Sequence, residues 1–532
     1  MGIGMLASQA LHLAAALVFG YLVFLGYRDI RRRSTVLGAT VALAILIRIF
    51  LGVSLFSISY LELPLARSLQ LPGGFWTLAI DATGYFQYAA HAVDTQAMAP
   101  FDGSIPSPFY VNALAFWMLL VGVSPVAGAF FNLCLYIAFA VVTIRLFHPV
   151  DDWRRDLPCI VGLGAYSFSP AILFSSTQPI KDELSCALVA MACFGVLALR
   201  GLTGRSSAVE PPWRAVGGTA MICCTIWAMG GMRWYFGVII WCALAVLLAV
   251  FAWRHLGARM PRYLFGCALV LVTTWLACWV GAERSMRQLA PAPTRLGGVP
   301  AELLNLTQMA RNGFLKSGGS TNVVIPINDD PQAGQAAIDR VAEAHRLGAA
   351  YSELDRELRS LPASSLARGT RTASSATPHS DEYLDGQRPS AMAIPVTGAD
   401  HIKTLAIGVA MLLVPTPLIE ATLGITLELS RGLISLVTLD TLFLDASILA
   451  VLVLLWQRRG LIGDRLPIVV FGLILSITTA FLIGYVVTNF GTLWRMRSLV
   501  AIPLWVAIVA LSPRCNGLGD QPDNGSIQPS TA

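Results

Sequence analysis

Apolar runs of about 17 to 24 residues recur along the chain and constrain its fold more than any other feature. A helix rises 1.5 Å per residue, so such runs can cross a hydrocarbon layer of about 30 Å. Only helices satisfy their own backbone hydrogen bonds in lipid at this length. Charged residues make up only 13% of the chain, about half the share usual in soluble domains. We therefore predict an all-α, polytopic membrane helix bundle and exclude a water-soluble fold.

The apolar runs predict about eleven membrane spans. These lie at residues 5–26, 35–57, 127–147, 159–175, 183–199, 215–231, 235–253, 263–281, 433–456, 466–488 and 498–512. The first run is too long for a signal peptide and lacks a basic segment before it, so we predict that it is retained. Two shorter runs, 109–123 and 402–414, lie beside prolines and are interpreted as interfacial or re-entrant segments.

The distribution of basic residues predicts the orientation of these spans. Short cytoplasmic loops are rich in Arg and Lys. With the two shorter runs left out, five basic clusters fall on one side, which we assign to the cytoplasm. They are residues 28–33, 154–155, Arg200 with Arg205 and Arg214, Arg254 with Arg259 and Arg262, and Arg458 with Arg459 and Arg465. A full span at 109–123 would move three of these clusters outside.

This orientation divides the chain into four parts. We expect an N-terminal membrane module (1–281) with an outer loop (58–126), an extracytoplasmic loop (282–401), a C-terminal membrane module (402–512) and a disordered cytoplasmic tail (513–532). In the large loop, apolar residues between Ile338 and Leu358 have helical spacing, and a mobile Ser/Thr-rich segment follows. The ten cysteines avoid this loop, so they form no disulfide framework. The abundance of Arg and Ala suggests the inner membrane of a bacterium.

Four basic residues lie on the predicted outer side, where short connections ordinarily lack them. They are Lys181, Arg233, Arg495 and Arg497, from three separate connections. One interpretation is that they converge on the phosphate of a lipid-linked substrate, which Arg binds through two parallel hydrogen bonds. The other is that each reaches to lipid headgroups, as basic residues at helix ends often do. Asp182 and Glu183 follow Lys181 and suit the positive start of a helix.

The first outer loop supplies a candidate base. Asp81, Tyr85 and Tyr88 would share one face of a helix that begins near Asp81. As chemistry, the carboxylate could accept the proton of an incoming hydroxyl. As structure, Asp81 could cap an interfacial helix whose tyrosines lie at the membrane surface. The sequence favours neither interpretation.

Two polar residues, Arg48 and Asn132, lie inside predicted spans. A charge at the centre of a span costs at least about 2.5 kcal/mol unless it is paired or hydrated. Packing against polar groups of another helix is the default interpretation, and a path for a polar substrate is the alternative.

Several short motifs resemble bacterial integral-membrane glycosyltransferases of the GT-C type and the polymerase-like proteins of exopolysaccharide clusters. The matching residues are Asp81, Tyr85, Lys181, Asp182, Asn489, Gly491, Thr492, Arg495 and Arg497, together with the segment 311–322 and the prolines 415 and 417. The resemblance implies that an acidic residue of the first outer loop is a base or metal ligand and that outer basic residues hold a polyprenyl phosphate. Unlike the family, this chain has an extra N-terminal hairpin before that loop and no Asp-x-Asp pair after it.

The expected function is a membrane glycosyltransferase that moves a sugar from a polyprenyl-phosphate or pyrophosphate carrier to an acceptor on the outer face. Asp81 would be the base, Lys181, Arg233, Arg495 and Arg497 would bind phosphate, and Tyr85, Asp182 and Asn489 would support them. We expect no cofactor and no metal, and expect membrane lipids but no nucleic acid as partners. A polymerase of oligosaccharide repeats, a flippase of a lipid-linked saccharide and a non-catalytic envelope scaffold remain alternatives. An Asn at position 81 would abolish transfer but not transport.

Overall fold

The computed structural model describes residues 3–79, 81–99, 107–147, 149, 151–199, 212–254, 265–278, 332–333, 336, 397–423, 431–457, 462–487 and 490–511. This part of the chain is almost wholly helical. The helices are α1 (Ile3–Arg33), α2 (Thr35–Tyr60), α3 (Asp81–Thr95), α4 (Pro108–Val121), α5 (Pro125–Phe147), α6 (Trp153–Phe168), α7 (Pro170–Ser176), α8 (Asp182–Ala198), α9 (Pro212–Gly230), α10 (Trp234–Arg254), α11 (Phe265–Cys278), α12 (Gly398–Leu413), α13 (Thr416–Leu423), α14 (Arg431–Gln457), α15 (Ile462–Val486) and α16 (Phe490–Val509).

Six helices are long and apolar enough to cross a membrane. They are found at Ala7–Arg33, Thr35–Tyr60, Pro125–Arg145, Ile434–Gln457, Leu466–Val486 and Thr492–Val509. The bent pair α6 and α7 makes a seventh if it counts as one span. The protein is therefore a multi-pass membrane protein. Each of the eleven predicted spans overlaps a helix, although several of these helices are shorter than a full membrane span. The run 109–123 forms the short helix α4.

Other predictions fall outside the described residues. These are the amphipathic helix between 338 and 358, nearly all of the loop 282–401, the tail 513–532 and Asn489.

Helix α16 lies at the centre of the bundle and is buried along nearly its whole length. It packs against α6, α8, α14 and α15, whereas α1 lies at the periphery. Helix α15 also packs closely on α12, where Gly408 meets Gly484. A Cβ at Gly408 would overlap the backbone of Gly484, so this crossing requires glycine.

The predicted span 159–175 is broken rather than continuous. Helices α6 and α7 meet at an angle of 53°, at the sequence Ser169-Pro170. Proline cannot donate a backbone hydrogen bond, so the helix is interrupted there. Asp440 of α14 pairs with polar groups at this break. Its Oδ1 accepts hydrogen bonds from Ser169 Oγ (2.9 Å) and Ala171 N (3.1 Å). Helix α7 then leads into the connection that carries Lys181.

The last span begins earlier than predicted. The prediction placed it at 498–512, with Arg495 and Arg497 in the preceding loop, but α16 begins at Phe490 and contains both residues. The prediction interpreted these two arginines as part of an outer connection, because they interrupt the apolar run. Both guanidinium groups are in fact paired with polar groups of other helices, and pairing of this kind makes a charge tolerable there.

A short antiparallel β-hairpin follows α2. Strands β1 (Gln70–Leu71) and β2 (Phe75–Trp76) pair, with Gly73 and Gly74 at positive φ in the turn between them. Two single-turn 3₁₀ helices, Arg67–Leu69 and Thr77–Ala79, flank the hairpin. Trp76 Nε1 donates to the Leu55 carbonyl at 3.0 Å, which fastens the hairpin to the end of α2. Phe75 of the hairpin packs against Phe86 of α3, with ring centroids 5.5 Å apart.

Candidate functional site

Five separate parts of the chain meet at one end of the bundle, which we call the site end. They are the start of α3, the residue before α4, the start of α8, the connection between α9 and α10, and the start of α16. They contribute Asp81 and Tyr85, Ser107, Lys181 and Asp182, Arg233, and Arg495, which together we call the charged cluster.

Arg495 links two carboxylates of the charged cluster. Its Nη2 lies 3.1 Å from Asp81 Oδ2, and its Nη1 lies 3.9 Å from Asp182 Oδ2. The Arg495 side chain is 12% exposed, whereas that of Asp81 is 54% exposed. Asp81 is thus the member of this ion pair that a molecule from outside the protein can reach.

Arg233 and Asp182 form a buried ion pair. Arg233 Nη2 donates to Asp182 Oδ1, and the side chains are 5% and 8% exposed. Arg233 is held at the N-terminal end of α10, and Asp182 lies in the first turn of α8, where the helix dipole favours a negative charge. Arg233 Nε and Nη1 are buried and have no hydrogen-bond partner among the described residues. The ion pair with Asp182 therefore leaves these two donor nitrogens of the cluster buried without a partner in the described part of the chain.

Lys181 is held by neutral groups. Its Nζ donates to Ser107 Oγ and lies 5.3 Å from the centre of the Tyr85 ring, a distance typical of a cation–π contact. Ser107 in turn donates to the Met232 carbonyl at 3.1 Å. Tyr85 is buried and packs edge-on against Tyr110, so it does not belong to a lipid-facing aromatic belt. These contacts orient Lys181 without neutralising its charge.

The surrounding charges keep Asp81 ionised. Burial alone would raise the pKa of Asp81, but the positive charges of Arg495 and Lys181, the hydrogen bond from Arg495 and the charge of Arg233 outweigh it and hold the pKa below its usual 3.8. The carboxylate is therefore ready to accept a hydrogen bond or a proton at neutral pH. Its basicity is low as long as Arg495 remains bound to it.

Arg497 lies apart from the charged cluster, contrary to the prediction. It is 1% exposed, and its guanidinium donates to the backbone carbonyls of Met411 and Val437 and, at 2.6 Å, to Thr441 Oγ1. Arg495 and Arg497 are two residues apart, which on a helix turns their side chains by about 200° to opposite sides. Arg497 thus joins α16 to α12 and α14.

Asn132 positions the connection that precedes Lys181. Its Nδ2 donates to the carbonyls of Ser176 (3.3 Å) and Gln178 (2.8 Å), at the end of α7. The predicted packing role of Asn132 agrees with these contacts. The amide oxygen of Gln178 has no hydrogen-bond partner among the described residues, although this side chain is 95% buried.

A second polar group lies deeper, around Arg48. Arg48 Nη1 donates to the Ser167 carbonyl at 2.9 Å, and the guanidinium lies 3.9 Å from the centre of the Tyr136 ring. Its Nε and Nη2 have no hydrogen-bond partner in the described part of the chain. Nearby, the Tyr166 hydroxyl donates to Glu183 Oε1 at 2.8 Å, and Glu183 is fully buried. Arg48 is thus partly paired.

An apolar cleft of about 580 Å³ runs between α1, α2 and α5. Arg48, which lies about halfway along α2, lines this cleft. Gly74 and Phe75 of the β-hairpin line it too. Thr177 and Gln178 line this cleft and also a narrow gap of about 10 Å³ that reaches Arg495. We call these spaces the apolar cleft and the narrow gap.

Ser107 is the member of the charged cluster that the sequence analysis missed. A Ser directly before a Pro is a signal for the start of a helix, and α4 does begin at Pro108. In the described residues, no three His, Cys, Asp or Glu side chains are grouped so that they could hold a metal ion. The nine described cysteines are unpaired thiols.

Comparison of the chain with protein-family models, with curated proteins and with solved structures gives no significant match.

Proposed function

We propose that the protein is a membrane glycosyltransferase that takes a sugar from a polyprenyl-phosphate or pyrophosphate carrier. The observation that carries this proposal is the convergence of Lys181, Arg233 and Arg495 beside Asp81. These cations come from three separate parts of the chain: the connection before α8, the connection between α9 and α10, and the first turns of α16. Cations brought together repel one another unless anions lie between them. Three cations face two carboxylates in the charged cluster, which leaves one positive charge for an anionic ligand.

Each residue has a distinct role in the proposed reaction. The acceptor hydroxyl oxygen attacks the anomeric carbon, the bond from that carbon to the phosphate oxygen breaks, and the hydroxyl proton passes to Asp81. Lys181, Arg233 and Arg495 stabilise the negative charge that develops on the leaving phosphate. Tyr85 and Asp182 hold the cations in place.

Binding of the donor would also activate Asp81. A phosphate that binds Arg495 competes for the N–H donors that now contact Asp81. Once Arg495 turns to the phosphate, the Asp81 carboxylate loses its nearest positive partner and becomes more basic. The base would thus gain strength only when donor is bound.

The proposed membrane placement follows from the charge pattern. We propose that the shorter helices α8, α9, α10 and α11 also cross the membrane with α6–α7, which gives about eleven spans. The site end then faces the outside of the bacterial inner membrane, with the cluster of arginines at 28–33 in the cytoplasm. The acceptor would be an envelope or exopolysaccharide precursor.

The test uses purified protein in liposomes and a panel of synthetic polyprenyl-phosphate sugars. Release of polyprenyl phosphate is measured for the wild type and for Asp81→Asn. The variant should bind donor but release product about 10²- to 10⁴-fold more slowly, as expected when a general base is lost. Release by Asp81→Asn within threefold of the wild-type rate would refute the proposal.

A charge exchange separates catalysis from simple ion pairing. The double variant Asp81→Arg with Arg495→Asp keeps opposite charges at the two positions but removes the base and moves the cation. We expect transfer to stay absent and only part of the lost stability to return, because an Asp at position 495 also lies near Asp182. Recovery of both stability and transfer would show that the pair acts only as a structural bridge.

A flippase of a lipid-linked saccharide is the second candidate, and one observation favours it. Arg48 lies on the wall of the apolar cleft about halfway along a membrane span, and two of its guanidinium nitrogens, Nε and Nη2, have no hydrogen-bond partner among the described residues. Such a group could bind a phosphate during passage through the membrane. In that case Arg48→Met should stop transport, while Asp81→Asn should leave transport nearly intact.

A further inference from the structure

We propose that the isoprenoid chain of the donor lies in the apolar cleft between α1, α2 and α5, with its phosphate at Thr177 and Gln178, where the narrow gap separates the cleft from Arg495. This inference rests on the proposed function and specifies where the lipid part of the substrate binds.

The size and the lining of the apolar cleft suit a hydrocarbon chain. Its volume of about 580 Å³ lies within the range of about 300 to 1,000 Å³ that is usual for ligand pockets. The wall is mostly apolar, with Gly20 and Val23 from α1, Ile45, Gly52 and Phe56 from α2, and Phe130 from α5. An apolar cavity does not hold ordered water, so a hydrocarbon occupant is favoured.

The position of the cleft within a membrane protein supplies that occupant. Helices α1 and α2 are both long and apolar enough to cross a membrane, and their outward sides expose large apolar residues such as Leu17, Leu46 and Phe50. The space between the two helices therefore adjoins lipid chains. A lipid-linked molecule can enter sideways without exposing its chain to water.

The narrow gap lies between the cleft and Arg495 of the charged cluster. Thr177 and Gln178 line both spaces, and Arg495 lines the gap. A lipid whose chain fills the cleft and whose anionic group lies at Thr177 and Gln178 would have the cation Arg495 as its neighbour across the gap, so the charges match.

Arg48 sets the inner limit of the chain site. A hydrocarbon chain gains nothing from contact with a partly paired guanidinium, so the chain should turn into the lipid near this residue. From Phe56 to Arg48 the axis of α2 advances about 12 Å, eight residues at 1.5 Å each. The cleft thus holds only the part of a long chain nearest the phosphate.

Glycine at position 52 allows a sharp test. No atom lies within 4 Å of a Cβ built at Gly52, so Gly52→Phe should fill the cleft without disturbing the fold. Gly217 of α9 is a matched control, because its Cβ would also meet nothing within 4 Å and it does not line the cleft. Both substitutions replace a helical glycine by the same residue.

The probe is polyprenyl phosphate with a photoreactive group in the isoprene units nearest the phosphate. Labelled peptides are mapped by mass spectrometry in the wild type, in Gly52→Phe and in Gly217→Phe. We expect label on α2 and α5 in the wild type, at least a tenfold loss in Gly52→Phe, and less than a twofold change in Gly217→Phe. Label that falls elsewhere, or that Gly52→Phe leaves unchanged, overturns the inference.

A second measurement separates this inference from the proposed function. Transfer is compared between a long-chain donor and a donor whose chain is too short to reach Gly52. Gly52→Phe should raise the KM for the long-chain donor about tenfold and leave the short-chain donor unchanged. Equal effects on both donors contradict the inference. Labelling in the cleft without transfer from either donor retains the lipid site and refutes the glycosyltransferase.

Discussion

The buried ion pair between Arg233 and Asp182 offers the most direct measurement of what holds the charged cluster together. The two side chains are 5% and 8% exposed, so water contributes little to either charge. Arg233→Met removes the guanidinium and leaves the Asp182 carboxylate buried, with Arg495 at 3.9 Å as its remaining cation. Loss of one partner from a buried pair costs about 3 to 5 kcal/mol. We expect about 3 kcal/mol here, because Arg495 compensates in part.

The double variant should behave differently from either single variant. Arg233→Met combined with Asp182→Leu leaves no uncompensated buried charge, and apolar replacements of buried pairs are often neutral within about 1 kcal/mol. The double variant should therefore recover most of the lost stability. Binding of polyprenyl phosphate should remain weak, because a phosphate ligand needs the cation itself.

The assay is reversible unfolding in mixed detergent micelles, with circular dichroism as the readout, for the wild type, both single variants and the double variant. Asp81→Asn is the matched control, because it breaks the ion pair between Asp81 and Arg495. Asp81 is half-exposed, so this pair should contribute at most about 1 kcal/mol to the free energy of unfolding. Equal destabilisation by Arg233→Met and Asp81→Asn, or a double variant as unstable as Arg233→Met, would show that the buried charge does not carry this cost.

Two further predictions concern single residues. Because the pKa of Asp81 is held below its usual 3.8, the contribution of Asp81 to stability should be complete at neutral pH and disappear as the pH falls through and below about 4. The melting curves of the wild type and Asp81→Asn should therefore converge at low pH. A difference in melting temperature that does not change with pH would contradict this. Gly408→Ala should destabilise the protein by about 1 to 3 kcal/mol, because the new Cβ would overlap α15. Gly398→Ala should have little effect, because a Cβ at Gly398 has no atom within 4 Å. Equal melting temperatures for the two variants would show that α12 and α15 can separate.

Most of the fold could be predicted from the positions of apolar residues. Apolar length alone predicts a helix in each of the eleven regions, because lipid leaves the backbone no alternative. The break between α6 and α7 at Ser169 is harder to predict from the sequence. Pro170 signals it, but the residue that accepts the hydrogen bonds at the break, Asp440, is distant in the sequence and becomes a neighbour only in the folded bundle.

The charged cluster could be predicted in part. The positive-inside rule identified Lys181, Arg233 and Arg495 as exceptions, and the structure brings all three together with Asp81. Arg497 was grouped with Arg495 because the two are close in sequence. Helical geometry would have separated them, had α16 been predicted to begin at Phe490. The role of Ser107 depends on a contact with Met232, which no local pattern reveals.

Asp440, which accepts the hydrogen bonds at the break between α6 and α7, is synthesised long after the two helices themselves. Asp440 follows Ser169 by 271 residues. At about 5 to 20 residues per second, the ribosome needs roughly 15 to 50 s to reach it. Throughout that interval the backbone amide of Ala171 and the hydroxyl of Ser169 lack the partner that later satisfies them. We therefore expect the polar groups at this break to stay unpaired by Asp440 until α14 is made, and a helper protein that shields polar groups would protect the nascent chain during that time.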